Sequence, residues 1–107
     1  PWSYVYMPVS SGQPDITAFA LNATMTDTTS DGHLSVAPDP NTLAQYAQNT
    51  FAPLSPPSAS SLNWTAGESV PNLVQAPTGA NGIIDFWNGA DGTSDLIVDM
   101  SGFYQND

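Results

Sequence analysis

The chain carries ten aspartate and glutamate residues but no lysine or arginine, which gives a formal net charge of −10 at pH 7. No salt bridge between side chains can form except through a protonated His33. Stability must therefore come from apolar burial, backbone hydrogen bonds and turns. The same imbalance excludes nucleic acid and insertion at anionic membrane surfaces, because cationic side chains supply most of the affinity for both. Cations are the natural partners of such a chain.

The 107 residues fit a single domain spanning residues 1–107, and a hydrophobic content of 40% supplies a core. Ten prolines and eight glycines then punctuate short strands instead of indicating disorder. Without cysteine, disulfides and thiolate metal sites are excluded. No apolar run approaches the roughly 20 residues of a membrane span. The first four residues lack the regions of a signal peptide, so we expect a processed or excised chain.

Alternation of apolar and polar residues predicts short strands along much of the chain. The clearest case is residues 17–26, where Phe19, Leu21, Ala23 and Met25 share one face. Further strands are predicted at residues 33–36, with Leu34 and Val36 inward, and at residues 60–64, 70–76, 83–87 and 95–100. Six to seven short strands with turns between them predict an all-β fold, either an antiparallel β-sandwich or a jelly-roll-like barrel.

Turn residues between these strands predict two hairpins. Asp31-Gly32 lies between the first two predicted strands, and Asn81-Gly82 directly precedes the strand at residues 83–87. Each pair of flanking strands is therefore expected to lie side by side in one sheet.

Residues 41–59 depart from the strand pattern. Residues 41–48 suit one or two helical turns, whereas Pro53, Pro56 and Pro57 force extended backbone after them. We predict a long surface loop.

The first segment alternates aromatic side chains at Trp2, Tyr4 and Tyr6 with Ser3 and Val5. Aromatic and β-branched residues favour the pleated, half-buried surface of a strand. Residues 1–8 are therefore predicted to pair as a strand, within the molecule or with a neighbouring chain.

Several segments resemble a β-sandwich module that is repeated in secreted actinobacterial proteins. The matching stretches are ALNAT at 20–24 with GHLSV at 32–36, SLNWTAGESVPNLV at 61–74, and GIIDFWN at 82–88 with DLIVDMSGFY at 95–104. The resemblance implies a secreted, extracellular accessory domain without catalytic residues. This chain lacks the module's first strand segment and has a longer loop at 41–59. A missing strand leaves an exposed edge, which invites pairing with another chain.

Candidate catalytic residues are few. His33 is the sole imidazole, and no nucleophile-elbow motif accompanies it, so a solvated strand residue is the better interpretation. Asp85 and Asp99 are placed to lie on neighbouring strands as a carboxylate pair, but an acidic outer face explains them as well. We therefore predict no catalytic residues and no enzyme.

Two acidic turns, residues 27–31 and 88–95, concentrate the oxygen ligands that calcium prefers. Asp and Asn are also ordinary turn formers, and neither turn matches the twelve-residue calcium loop. We expect no cofactor, with calcium as the alternative. Its candidate ligands are Asp27, Asp31, Asp91 and Asp95.

Aromatic side chains offer the remaining binding chemistry, because exposed rings stack on sugar faces. Trp64, Phe19, Phe86 and Phe103 are predicted to be core residues. The predicted ligand-binding residues are Trp2, Tyr4, Tyr6 and Trp87.

Together these features predict a noncatalytic, secreted accessory module that attaches a protein to a polysaccharide or a cell-surface glycan. The alternative is a structural, self-assembling extracellular subunit that is completed by strand pairing with a neighbouring chain or a partner protein.

We expect self-association to increase as the pH falls toward the sequence pI of about 4.1, because protonated carboxylates no longer keep molecules apart. Light scattering measured from neutral pH down to the pI checks this expectation. Scattering that stays flat over that range would contradict it.

Overall fold

Antiparallel strands in two sheets make up most of the molecule, which confirms the predicted all-β, sandwich-like fold. The computed structural model describes residues 3–9, 16–55, 57, 62–77 and 82–105. The elements in chain order are β1 (Ser3–Pro8), β2 (Ile16–Thr26), β3 (Gly32–Pro38), α1 (Leu43–Ala47), β4 (Leu62–Trp64), β5 (Val70–Pro77), β6 (Ile83–Ala90) and β7 (Asp95–Gln105).

One sheet has four strands in the order β1-β6-β3-β4, and the other has three in the order β5-β2-β7. Both predicted hairpins are wrong, because β2 and β3 lie in different sheets, as do β5 and β6. A turn-forming sequence predicts that the chain reverses direction, but it does not predict that the two flanking strands pair in one sheet. Each of these strands has an apolar face, and placing two such faces opposite each other across the sandwich buries both.

The core lies between the sheets and contains the predicted apolar face of β2. Phe19, Trp64 and Phe86 are buried there, as predicted. Phe103 is 55% exposed, so its prediction as a core residue is wrong. The β2–β7 register shifts between Ala20 and Leu21, and Phe103 lies beyond that shift on an edge strand. Its ring lies beside that of the core residue Phe19, with the two ring centroids 6.3 Å apart.

The N-terminal strand is present and pairs within the molecule. β1 runs antiparallel to β6, with Tyr4 opposite Trp87 and Tyr6 opposite Asp85. The prediction of strand pairing is thus confirmed for residues 3–8, whereas Trp2 lies outside the described residues. Since Phe86 points into the core, its neighbours Asp85 and Trp87 lie on the outer face, which is the face of the four-stranded sheet turned away from the other sheet.

The segment after β3 contains the predicted helical turn. Thr42 begins α1 with a capping box: its hydroxyl accepts a hydrogen bond from the Gln45 amide at 3.1 Å, and its own amide donates to the Gln45 side chain at 2.7 Å. Within the ranges that the structure describes, no helix has the length and apolar character needed to cross a membrane.

Gly32 lies where β3 packs tightly between its neighbours. A Cβ at this position would stand 2.5 Å from the Ala90 Cβ and 2.8 Å from Trp64 Cζ2. We expect Gly32→Ala to lower the free energy of unfolding by about 1–3 kcal/mol through overpacking. Gly102→Ala is the matched control, since nothing lies within 4 Å of its added Cβ. Urea denaturation measures both variants, and equal losses would contradict the expectation.

Candidate functional site

Five aromatic side chains meet on the outer face: Tyr4, Tyr6, Tyr46, Phe51 and Trp87. We call them the aromatic cluster. Tyr6 stacks on Tyr46 with ring centroids 3.9 Å apart, and Phe51 stacks on Tyr46 at 4.8 Å. Tyr4 contacts Trp87 at 4.5 Å and meets the edge of Tyr46 at 6.4 Å. Strand β1, strand β6 and the segment around α1 therefore each supply rings to one group.

The aromatic cluster, together with Ser3 and Leu54, lines an open cavity of about 500 Å³, which we call the aromatic cavity. Tyr6 is 42% exposed and offers ring surface to a ligand. Trp87 also lines the cavity but is only 6% exposed. The cavity thus combines the exposed ring of Tyr6, the half-buried rings of Tyr4, Tyr46 and Phe51, and the buried ring of Trp87.

Two buried carboxyl groups lie beside the aromatic cluster. Asp39 follows β3 and Asp85 is in the middle of β6; their exposures are 0% and 1%, and their side chains share a hydrogen bond. The Tyr46 hydroxyl donates to Asp39 Oδ2, and the backbone amide of Asn41 donates to Asp39 Oδ1 at 2.7 Å. The hydroxyl groups of Tyr46 and Tyr4 are 2.9 Å apart. Aromatic and acidic groups therefore form one network.

The proton shared by this pair belongs mainly to Asp85. Burial raises the pKa of Asp85 to about 8, and the hydrogen bond and negative charge of Asp39 add to the effect. Burial alone would raise the pKa of Asp39 too, but the hydrogen bonds that Asp39 makes, first of all with Asp85, lower it below its usual range. The pair consequently carries one negative charge at neutral pH.

Tyr46 remains a hydrogen-bond donor to that charge. Burial, followed by the hydrogen bond to Asp39, holds the pKa of Tyr46 well above its usual range. Its ring meanwhile stacks between Tyr6 and Phe51. One side chain therefore joins the carboxyl pair to the wall of the aromatic cavity.

Three of the four predicted ligand residues, Tyr4, Tyr6 and Trp87, come together at this site. The fourth, Trp2, lies outside the described residues. Sequence reasoning missed Tyr46 and Phe51, which belong to the predicted loop. The sequence offered one indication of these residues, which is the presence of aromatic side chains inside a predicted surface loop.

Asp39 was also missed, and the predicted pairing of Asp85 with Asp99 is wrong. Strands β6 and β7 belong to different sheets, so Asp85 faces the segment after β3 instead. His33 is half-buried and packs against Gly89, its partner in the β3–β6 register. Any side chain on Gly89 would collide with the imidazole ring.

The four predicted calcium ligands are distributed over adjoining turns. Asp27 and Asp95 share a hydrogen bond, which raises the pKa of Asp95, as does the Asp27 charge. Asp31 Oδ1 accepts a hydrogen bond from the Ala66 amide at 2.8 Å. Asp91 is exposed. Across the described ranges, no three histidine, aspartate or glutamate side chains are grouped to hold a metal ion. Calcium binding stays a prediction.

Comparison with protein-family models, curated proteins and solved structures finds no match for this chain. The resemblance to the secreted actinobacterial module therefore stays a prediction, and the case for function depends on the geometry of the site.

We expect the contribution of Asp85 to stability to decrease as the pH rises from about 4 to about 8. Its pKa is 3.8 when unperturbed and about 8 in the fold, so in this window the folded chain holds a proton that the unfolded chain releases. That contribution is complete below pH 3.8 and is lost as the pH passes through about 8. Asp85→Asn keeps an uncharged donor to Asp39 and should flatten the profile.

Urea denaturation at a series of pH values measures this effect. Asp99→Asn removes one acid from the exposed surface of the other sheet and should keep the wild-type slope. A slope that is the same in Asp85→Asn as in the wild type would show that the buried proton has no such role.

Proposed function

We propose that this chain is a noncatalytic accessory module that attaches a secreted protein to carbohydrate, and that the aromatic cavity is its binding site. The observation that carries the proposal is the convergence of Tyr4, Tyr6 and Trp87 with Tyr46 and Phe51 around an open cavity. These rings come from three separate segments of the chain.

The chemistry of the cavity suits a sugar ring. A pyranose has faces of C–H groups that pack on aromatic rings, and its hydroxyl groups need hydrogen-bond partners at the rim. The exposed part of Tyr6 supplies a stacking surface, and the hydroxyl groups of Tyr4 and Tyr46, 2.9 Å apart, belong to side chains that line the same cavity. A volume of about 500 Å³ is of the size that small-molecule sites have, and accommodates one or two sugar units.

The carboxyl pair supports a structural role instead of glycoside hydrolysis. Catalytic carboxyl groups stand about 5–9 Å apart so that the glycosidic bond, and in some enzymes a water molecule, fits between them. Asp39 and Asp85 instead hydrogen-bond directly to each other and are almost fully buried. Their geometry favours anchoring the segment after β3 on the outer face.

A second candidate function, self-assembly, draws support from the sheet edges. The edge strands β1 and β7 leave apolar side chains open to solvent, including Val5, Met100 and Phe103. Such edges are templates for pairing with another chain. The net charge of −10 on each copy opposes that pairing at neutral pH, so carbohydrate attachment is the better supported function.

We expect isothermal titration with oligosaccharides to detect binding, and Tyr6→Ala to weaken it about tenfold by removing the accessible stacking ring. Phe103→Ala is the matched control, because it deletes an exposed ring from the other sheet. Near-UV circular dichroism checks that both variants keep their packing. Absence of binding to any oligosaccharide, or equal loss in the two variants, would refute the proposed site.

A further inference from the structure

The aromatic cavity stands in a field of a single sign. Every formal side-chain charge of the chain at pH 7 is negative, and neither lysine nor arginine occurs to offset these charges. The faces of aromatic rings carry partial negative charge as well, which is why cations bind over them. The wall of the cavity and the protein around it therefore both attract cationic ligands.

The carboxyl pair lies next to the aromatic cavity, since Tyr46 both lines the cavity and donates a hydrogen bond to Asp39. Asp85 lies opposite Tyr6 in the β1–β6 register, and Asp39 accepts a hydrogen bond from Tyr46. Two of the rings that line the cavity, Tyr6 and Tyr46, are thus neighbours of the carboxyl pair. Burial keeps water away from this charge, which strengthens its action on a nearby ligand.

The carboxyl pair is also incompletely satisfied. Asp85 is 99% buried, and its Oδ1 atom has no hydrogen-bond partner in the structure. The single histidine packs against Gly89, four residues further along β6. The negative charge of the pair is met by hydrogen bonds from Tyr46, the Asn41 backbone and Asp85, so a cation supplied by the ligand would add a full opposite charge to the pair.

We propose that the aromatic cavity selects amino sugars, with the sugar ring stacked on the aromatic cluster and its ammonium group held by the ring faces and by the field of the Asp39–Asp85 pair. This inference rests on the proposed carbohydrate-binding function and names its ligand class. Neutral sugars gain the stacking without the charge interaction, and uronic acids are repelled.

The test compares two β-1,4-linked trisaccharides, one of glucosamine and one of N-acetylglucosamine, by isothermal titration at mildly acidic pH. The two share ring and linkage and differ in whether the nitrogen is cationic or acylated. We expect the glucosamine form to bind about tenfold more tightly, the factor typical of one partly desolvated cation–π contact. Equal affinities would overturn the inference and leave carbohydrate binding standing. If neither trisaccharide nor any other oligosaccharide binds, both proposals fail.

Three variants separate a local effect from attraction by the total charge. The double variant Asp39→Asn and Asp85→Asn should reduce the preference to about twofold or less, whereas Asp99→Asn removes an exposed carboxylate from the other sheet and should keep it. Tyr6→Ala leaves every charge in place and should also reduce the preference, which keeps the test valid if the double variant does not fold. A preference that persists in Tyr6→Ala would show that the exposed ring does not hold the ammonium group, and would overturn the inference.

Discussion

The absence of any lysine or arginine is the constraint on which the rest of the structure depends. Apart from a protonated His33, no cationic side chain can pair with a carboxylate, so nearly every carboxylate must be exposed to water, accept hydrogen bonds or hold a proton. The described residues show all three outcomes. Asp99 is exposed, Asp31 accepts a hydrogen bond from the Ala66 amide, and Asp85 is buried beside Asp39 with its pKa raised to about 8, which favours the protonated form at neutral pH.

Tyr46 connects the buried carboxyl pair to the aromatic cavity. Its hydroxyl donates to Asp39, while its ring stacks with Tyr6 and Phe51. The segment around α1 is thereby held against the outer face by one polar anchor and several ring contacts. The same contacts that fix the segment also build a wall of the aromatic cavity. Stability and binding surface thus share one set of side chains, so substitutions at Tyr46 affect both.

The fold places the two proposed functions together at one sheet edge and apart at the other. Edge strand β1 carries both exposed Val5 and the cavity residues Tyr4 and Tyr6, whereas exposed Phe103 belongs to edge strand β7 of the other sheet. The uniform negative charge has opposite effects on the two proposed functions. It repels a second copy of the chain at a sheet edge, and it attracts a cationic ligand to the cavity.

By itself, the sequence determined where most of the strands lie and which face of β2 points inward, because alternation with a period of two is a local property; it failed for Phe103, which lies beyond a register shift in β7. The buried face of β2 and the alternating aromatic residues of β1 are examples. Only the tertiary structure decided which strands pair, because a turn such as Asp31-Gly32 reverses the chain without choosing its sheet. The same holds for the meeting of Asp39 with Asp85 and of Tyr46 with Tyr6, which are 46 and 40 positions apart in the chain. Contacts over such separations depend on how the two sheets and the covering segment are stacked, and no local pattern encodes them.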